Sequence, residues 1–282
     1  MVSTKKPLVI AAFEGWNDAG DAASDAVALI ASTWGATPVA SLDPELYYDF
    51  QVNRPILDRV GDGTTLTWPA TRISVATSPV TGRQLLLVQG VEPSMRWRHY
   101  CAEILAATAP WEPELVVGVG ALLADVPHTR PIPVQSTSEQ AAVREQYGVE
   151  QSEYTGPVGI LSVLAQAAAD RGIGGMSVWA AVPHYVAQPP SPKATLALVS
   201  ALEQVLGEPL PVADLVDESR AWQRGVDELA GEDPEISEYV RQLEEAKDTV
   251  ELPEASGEAI AAEFERYLRR RDPGEGRDAG PR

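Results

Sequence analysis

Four short, largely apolar runs constrain the fold of this chain more than any other feature of its sequence. They occupy residues 8–13, 85–88, 115–119 and 177–182. Apolar runs of this kind are typical of strands that are buried on both faces, as in parallel sheets covered by helices. Because segments with helical patterning separate the runs, the sequence predicts an α/β fold with an open, mostly parallel or mixed sheet flanked by helices.

Local signals place the helices that connect these strands. The first run is followed by apolar residues at helical spacing, and Asn17 or Asp18 can cap this helix. Further helices are expected over residues 97–107, from Pro157 onwards and over residues 191–207. This alternation of strands and helices supports a layered α/β domain.

Residues 43–84 have a weaker pattern than the rest of the domain. Residues 65–68 and 73–76 are predicted to form edge strands, because turn signals at Asp62-Gly63 and Thr81-Gly82 lie beside them.

The sequence becomes more acidic near residue 210. Residues 208–282 carry 21 Asp and Glu against 10 Lys and Arg, which is −11 of the total net charge of −19. Helical spacing continues there with breaks at Pro234 and Pro253, and a further helix is predicted around residues 260–268. We therefore expect an α/β domain over residues 1–210, an acidic helical extension over residues 211–271 and a disordered tail over residues 272–282.

Charge and composition exclude several classes of protein. The net charge of −19 argues against DNA or RNA as a partner, because nucleic-acid binding needs a basic surface. The single cysteine, Cys101, excludes an internal disulfide. The first apolar run ends at Phe13, too early for a signal peptide, and no apolar stretch is long enough to cross a bilayer. We therefore expect a cytoplasmic protein without a membrane partner.

Polar residues after the predicted strands are the candidates for a functional site. The first group, Glu14, Trp16, Asn17 and Asp18, lies at a strand-to-helix turn, where open α/β sheets form their clefts. Glu14 or Asp18 can act as a general acid or base, or bind a hydroxyl group or a metal. Alternatively, Asn17 and Asp18 are helix caps and Trp16 is a packing residue.

The later strands are followed by similar groups. Arg96 precedes the second helix and can bind an anion or a partner's carboxylate. His128 and Arg130 follow the third strand, and His184 and Tyr185 follow the last one. Alternatively, the arginines are surface or interface groups and the histidines are ordinary loop residues, since no nucleophile or ligand spacing accompanies them. The candidate cleft or interaction site therefore comprises Glu14, Trp16, Asn17, Asp18, Arg96, His128, Arg130, His184 and Tyr185.

Motifs of several common reactions are absent from the sequence. It contains no GxGxxG, GxxxxGK[ST], GxSxG or HExxH pattern. Cys101 lies in an apolar helical stretch, where a small buried side chain is expected rather than a catalytic thiol. We therefore assign no catalytic residue, no metal site and no cofactor, and leave open whether the protein is an enzyme.

Five segments of the sequence form a recognisable series: residues 13–20, 90–93, 127–131, 155–160 and 182–185, within a stretch from residue 7 to about 207. Their order resembles that of bacterial members of the proteasome assembly chaperone 2 (PAC2) family. The C-terminal helices resemble an extension found in actinobacterial members. The resemblance implies an open α/β fold of the phosphorylase/hydrolase-like type and a homo-oligomer, with a trimer as one candidate stoichiometry. It implies no catalytic residue.

The same resemblance implies that proteasome subunits are partners. Archaeal relatives dock through a C-terminal ending of the hydrophobic-Tyr-X type, whereas this sequence ends Ala279-Gly280-Pro281-Arg282. Docking through the tail is therefore not expected for this chain.

Three functional hypotheses follow. The first is a non-catalytic, chaperone-like interaction protein linked to proteasome assembly, which contacts its partners through the sheet-end loops and the acidic extension. The second is a small-molecule-binding protein or a hydrolase/phosphorylase-like enzyme. The third is a structural oligomer whose loops pack at subunit contacts. The missing catalytic motifs favour the first. A pocket for the second would be formed by Glu14, Asn17, Asp18, His128 and His184.

Overall fold

The computed structural model of this chain describes residues 5–210, 212 and 214–251. The helix predicted around residues 260–268, the disordered tail predicted over residues 272–282 and the C-terminal ending lie outside the described residues. Within the described part, the chain forms nine strands and seven α-helices.

Seven of the nine strands form one mixed sheet. The strands are β1 (Leu8–Glu14), β2 (Thr37–Ser41), β3 (Ile56–Val60), β4 (Gly63–Thr67), β5 (Arg72–Thr77), β6 (Gln84–Val91), β7 (Leu115–Ala124), β8 (Val134–Thr137) and β9 (Gly174–Pro183). The order across the sheet is β2-β5-β6-β1-β7-β9-β8. The four central strands β6, β1, β7 and β9 are parallel, whereas β2, β5 and β8 pair in antiparallel fashion. The predicted α/β fold with a mostly parallel or mixed sheet is confirmed.

The helices cover both faces of this sheet. They are α1 (Ala22–Thr33), α2 (Trp97–Thr108), α3 (Ala141–Tyr147), α4 (Ile160–Ala169), α5 (Pro192–Leu206), α6 (Leu215–Glu232) and α7 (Pro234–Glu251). Helices α1 and α5 pack on one face, and α2 and α4 pack on the other. The α/β domain is therefore a helix–sheet–helix sandwich.

The apolar runs form strands because both faces of the sheet are buried. In β1, Leu8 and Ile10 contribute to the core under α1 and α5, whereas Val9 and Phe13 contribute to the core under α2 and α4. All four side chains are fully buried. Since alternate residues of a strand point to opposite faces, a strand between two helical layers needs apolar residues at every position.

The prediction that residues 65–68 and 73–76 form strands is confirmed, but residues 73–76 do not lie at an edge of the sheet. Residues 63–67 form β4, which pairs only with β3 in a separate hairpin. Residues 72–77 form β5, which lies inside the large sheet because β2 pairs with its other edge. Strand β2 has mostly exposed side chains, so it lacks the apolar pattern by which strands are recognised.

The start of α4 also differs from the prediction. The helix begins at Ile160 rather than near Pro157. The carboxylate of Glu92 accepts a hydrogen bond from the backbone N–H of Ile160 at 2.9 Å, and thus caps the helix from a distant loop. A cap that comes from another part of the chain leaves no local signal in the sequence.

Helices α6 and α7 form the acidic helical extension. Helix α6 packs on α5, and α7 packs on α6. The described part of α7 buries only Val240, and α6 buries Leu215, Val226 and Ala230 among its apolar residues. Among the described residues, no helix is both long and apolar enough to cross a bilayer.

Candidate functional site

The loops that carry the candidate residues lie at one edge of the sheet. Strands β1, β7 and β9 are parallel neighbours, so their carboxyl ends point in the same direction. Glu14 ends β1 and residues 15–18 follow it, residues 125–131 follow β7, and residues 184–187 follow β9. This common edge is where open α/β sheets place their ligand and partner sites.

Asp18 acts as a helix cap. Its carboxylate accepts hydrogen bonds from the backbone N–H groups of Ala23 at 2.6 Å and Ser24 at 3.2 Å, at the start of α1. The side chain is 4% exposed, and this burial raises the pKa of Asp18 to about 6, against the lowering effect of its hydrogen bonds. The geometry fits the capping alternative for Asp18.

Asn17 is buried and lies between β7 and the segment before α4. Its backbone carbonyl accepts a hydrogen bond from the N–H of Ala121 at 2.8 Å. Its amide group is fully buried and has no hydrogen-bond partner among the described residues. The amide oxygen lies against Gly159, where a Cβ atom would overlap with it and would lie 3.1 Å from a carboxylate oxygen of Glu92. Position 159 therefore has room only for glycine.

Trp16 lies on the open side of the same loop. Its side chain is 68% exposed and lines a cleft of about 830 Å³ together with Tyr154 and Trp179. Leu122, Leu123 and Val158 are further exposed apolar residues that line the cleft. Glu139 is the only charged residue among the described residues that line it. Apart from Glu139, the cleft is thus a neutral, largely apolar surface on an acidic protein.

Glu14 belongs to a different cleft. It lines a smaller depression of about 380 Å³ next to the β3–β4 hairpin, with Arg54 and Trp68. Neither of the two clefts is lined by His128 or His184. The predicted pocket residues Glu14, Asn17, Asp18, His128 and His184 therefore do not line either of these two clefts together.

His128 connects the loop after β7 to the helical extension. Its ring is 1% exposed. Nε2 lies 3.0 Å from a carboxylate oxygen of Asp227 on α6, and Nδ1 lies 2.7 Å from the hydroxyl of Tyr185. Because an ionised carboxylate only accepts hydrogen bonds, Nε2 carries the proton, and Nδ1 accepts from Tyr185. The Tyr185 oxygen in turn accepts from the backbone N–H of His128 at 2.7 Å.

Two further groups complete this network. The ammonium of Lys193, at the start of α5, donates to the carbonyl of His128 and to the Gln223 side chain at 2.8 Å. Burial lowers the pKa of Lys193 to about 8. Burial also lowers the pKa of His128, although Asp227 opposes this effect. His128, in the loop after β7, pairs with Asp227 on α6. Lys193 joins the same loop to Gln223 on α6. These four residues therefore hold α6 against the α/β domain, and we call them the polar clamp.

Arg130 binds the second helix of the extension. Its guanidinium contacts both carboxylate oxygens of Asp248 at 2.9 and 2.8 Å, and one oxygen of Glu244 at 3.1 Å. The hydroxyl of Thr129 also donates to Glu244. A bidentate arginine–carboxylate pair fixes both distance and orientation, so these contacts define where α7 lies.

His184 and Tyr185 add an aromatic contact to the same helix. The ring of Tyr239 on α7 lies edge-on to His184 and to Tyr185, with ring centroids 5.5 and 6.0 Å apart. Asp125 accepts a hydrogen bond from Tyr239 at 3.1 Å and lies 3.2 Å from Nδ1 of His184. The two loops after β7 and β9 thus meet α7 together.

Arg96 lies apart from this contact, at the start of α2. Its backbone adopts a left-handed conformation with φ of 58°, and its side chain is exposed. The neighbouring cluster joins the Tyr47 hydroxyl to His99 Nδ1 at 2.6 Å and to Glu103. In the structure, Arg96 is therefore a surface residue beside a polar cluster on the α2 side.

The interaction partners of the candidate residues were not found from the sequence. They are Asp227, Lys193, Tyr239, Glu244 and Asp248. The signal for α7 was available, since Val240, Glu244 and Asp248 repeat every four residues on one helix face. The pattern does not say which loop this face contacts.

Comparisons with known proteins agree with this architecture. A PAC2 family protein from Streptomyces avermitilis is 50% identical, with a TM-score of 0.79, over 83% of this chain and 100% of that chain. A Mycobacterium tuberculosis proteasome-assembly chaperone homologue is also 50% identical, with a TM-score of 0.76, over 83% of this chain and 99% of its own. An archaeal proteasome activator from Pyrococcus furiosus, 16% identical with a TM-score of 0.64 over 81% of this chain and 97% of its own, shares the fold.

The family assignment follows from the sequence as a whole. No functionally curated protein matches this chain. Residues 12–230 match the sequence model of the PAC2 family, from β1 to most of α6. This match covers well over half of the chain and agrees with the two relatives of 50% identity. The chain belongs to the PAC2 family.

Proposed function

We propose that this protein is a non-catalytic, chaperone-like interaction factor in proteasome assembly, and that it acts in the cytoplasm. One observation carries the proposal: the groups best suited to proton chemistry, His128 and Asp18, are occupied by structural contacts. His128 holds α6 through Asp227, and Asp18 caps α1. The 50% identity to a proteasome-assembly chaperone homologue supports the same role.

The neutral cleft supplies a surface suited to protein partners. Exposed Trp16, Leu122, Leu123, Tyr154 and Val158 line it. Contiguous exposed apolar residues of this kind mark interaction sites, and large aromatic residues contribute most to binding. On a protein with a net charge of −19, a neutral surface also avoids charge repulsion between copies. We propose proteasome subunits and further copies of this chain, for example in a trimer, as its partners.

A pull-down with matched variants tests this proposal. The tagged full chain is co-expressed with the proteasome subunits of its own source. We expect a complex that Trp16→Ala or Leu123→Ala weakens about tenfold or more, because each removes apolar contact area from the lining of the cleft. Leu229→Ala is the control, since Leu229 is also a largely exposed apolar residue but lies on α6. The proposal fails if no complex forms and proteasome assembly is unchanged in cells that lack the protein.

A small-molecule site in the same cleft is a second candidate function. Its volume of about 830 Å³ lies within the range of ligand pockets, and Trp16 and Trp179 can stack on a planar ligand. The intrinsic tryptophan fluorescence of the full chain, titrated with cell extract cleared of macromolecules, distinguishes the two functions. A saturable change that Trp16→Phe preserves and Trp179→Ala abolishes favours a ligand site.

A further inference from the structure

Helix α7 is held against the α/β domain mainly by polar contacts. Val240 is the one buried residue among its described side chains. Glu244 and Asp248, which bind Arg130, remain 27% and 51% exposed. Because partly exposed ion pairs contribute little and are screened by salt, α7 is the helix that can detach at the least cost.

The surface under α7 combines the Arg130 guanidinium with aromatic rings, and the carboxylate of Asp125 lies at its other end, beside Tyr239 and His184. Arg130 and Thr129 supply donors, and His184 and Tyr185 supply ring edges. Lys193 lies behind them, where it donates to the carbonyl of His128. At the Arg130 end of this surface, the guanidinium and the Thr129 hydroxyl both donate to carboxylates of α7, so this end is selective for carboxylates.

We propose that this surface, formed by Thr129, Arg130, His184 and Tyr185, is a docking site for an acidic helix of a partner protein, and that α7 occupies it as an internal competitor. The contacts of α7 with this surface show which groups the surface binds. Glu244 and Asp248 lie four residues apart on one face, and Asp248 binds Arg130 in bidentate geometry. Tyr239 contacts the two rings at the other end.

The partner is therefore an amphipathic helix with an aromatic residue followed by two carboxylates at this spacing. Such a helix competes with α7 by making the same contacts. The inference goes beyond the proposed function, because the partner need not be a proteasome subunit.

A peptide-binding experiment on the full-length chain tests this inference. The probe is a fluorescein-labelled peptide with the sequence of residues 234–251. Glu244→Gln with Asp248→Asn in the protein removes the internal carboxylates, so we expect this variant to bind the peptide about tenfold or more tightly than the unmodified chain does. The matched control is Glu238→Gln with Glu245→Gln, which removes two carboxylates that pair with Arg241 instead of the loop.

Specificity is tested in the same assay. Addition of Arg130→Gln to the Glu244→Gln and Asp248→Asn variant should abolish the gain in affinity, and so should a peptide with the corresponding amide substitutions. Equal binding by the two double variants, or binding that is insensitive to Arg130→Gln, overturns the inference. It is also overturned if a single-stranded DNA oligonucleotide displaces the peptide at an equal charge concentration, because the surface is then a general polyanion site.

Hydrogen–deuterium exchange on the unmodified chain gives a measurement that needs no variant. Between about 50 mM and about 500 mM salt, screening should accelerate exchange in α7 several-fold more than in α5. If α7 exchanges as slowly as α5 at both salt concentrations, α7 is a fixed part of the fold and the inference is wrong.

Discussion

The imidazole Nε2 of His128 lies 3.0 Å from the carboxylate of Asp227, although 99 positions of the chain separate the two residues. This contact joins the loop after β7 to helix α6. His128 was one of the candidate site residues in the sequence. Both of its ring nitrogens are hydrogen-bonded in the structure, one to Asp227 on α6 and one to Tyr185. Enzymes of this architecture have their active sites at this edge of the sheet. In this protein, residues at the edge bind the helical extension.

The titration of His128 tests its buried position. Burial lowers the pKa of this imidazole, so the unfolded chain takes up the proton first as the pH falls through about 6.5. Its contribution to stability is therefore present above that pH and is lost below it. Imidazole NMR signals of the three histidines, with His128→Gln for assignment, should show a midpoint below 6.5 for His128. A midpoint above 6.5 contradicts the burial.

Asp18→Asn should stabilise the protein in a pH-dependent way. The pKa of Asp18 is raised from 3.8 to about 6 by burial, so wild-type protein loses stability as the pH rises between these values, while the unfolded chain is already ionised. Asparagine keeps an acceptor for Ala23 and Ser24. The free energy of unfolding of the variant relative to wild type should rise by about 2 kcal/mol between pH 4 and 6. If denaturation curves give the same difference in free energy of unfolding between the variant and wild type at both pH values, this account is wrong.

Gly159→Ala should destabilise the fold through overlap with Asn17. The added methyl group has no space beside the Asn17 amide oxygen, and we expect a loss of about 1–3 kcal/mol in urea denaturation. Asn17→Ala in the same chain should recover part of this loss. Gly225→Ala is the control: its Cβ meets nothing within 4 Å in α6, so it should gain about 0.5–1 kcal/mol. Similar effects of the two glycine substitutions would argue against the close contact.

Much of the α/β domain was predictable because its signals are local. The continuous apolar runs indicate the central strands, since a strand between two helical layers has no polar face. The last helix of the domain starts at Pro192 and ends before Gly207, which adopts φ of +67°, as its terminal residues predict. Strands β2, β3 and β8 were not predicted, because β2 and β3 are mostly exposed and β8 has only four residues.

The functional contacts were less predictable because they join distant parts of the chain. Asp18 as a cap follows from its position before α1. The pairing of His128 with Asp227 depends on how α6 packs on α5, and the pairing of Arg130 with Asp248 depends on α7. No local pattern encodes either contact, so the sequence indicates the polar loop residues without their partners.

A double-mutant cycle on His128 and Asp227 tests most directly whether the sheet-edge loop clamps the helical extension. The free energies of unfolding of His128→Ala, Asp227→Ala and the double variant should give a coupling of about 1–2 kcal/mol, because Asp227→Ala leaves Nε2 of the buried His128 ring without its partner. The matched pair is Asp217 with Arg220, exposed on α6 at 3.2 Å, whose coupling should stay below about 0.5 kcal/mol. Equal couplings in the two cycles would contradict the clamp.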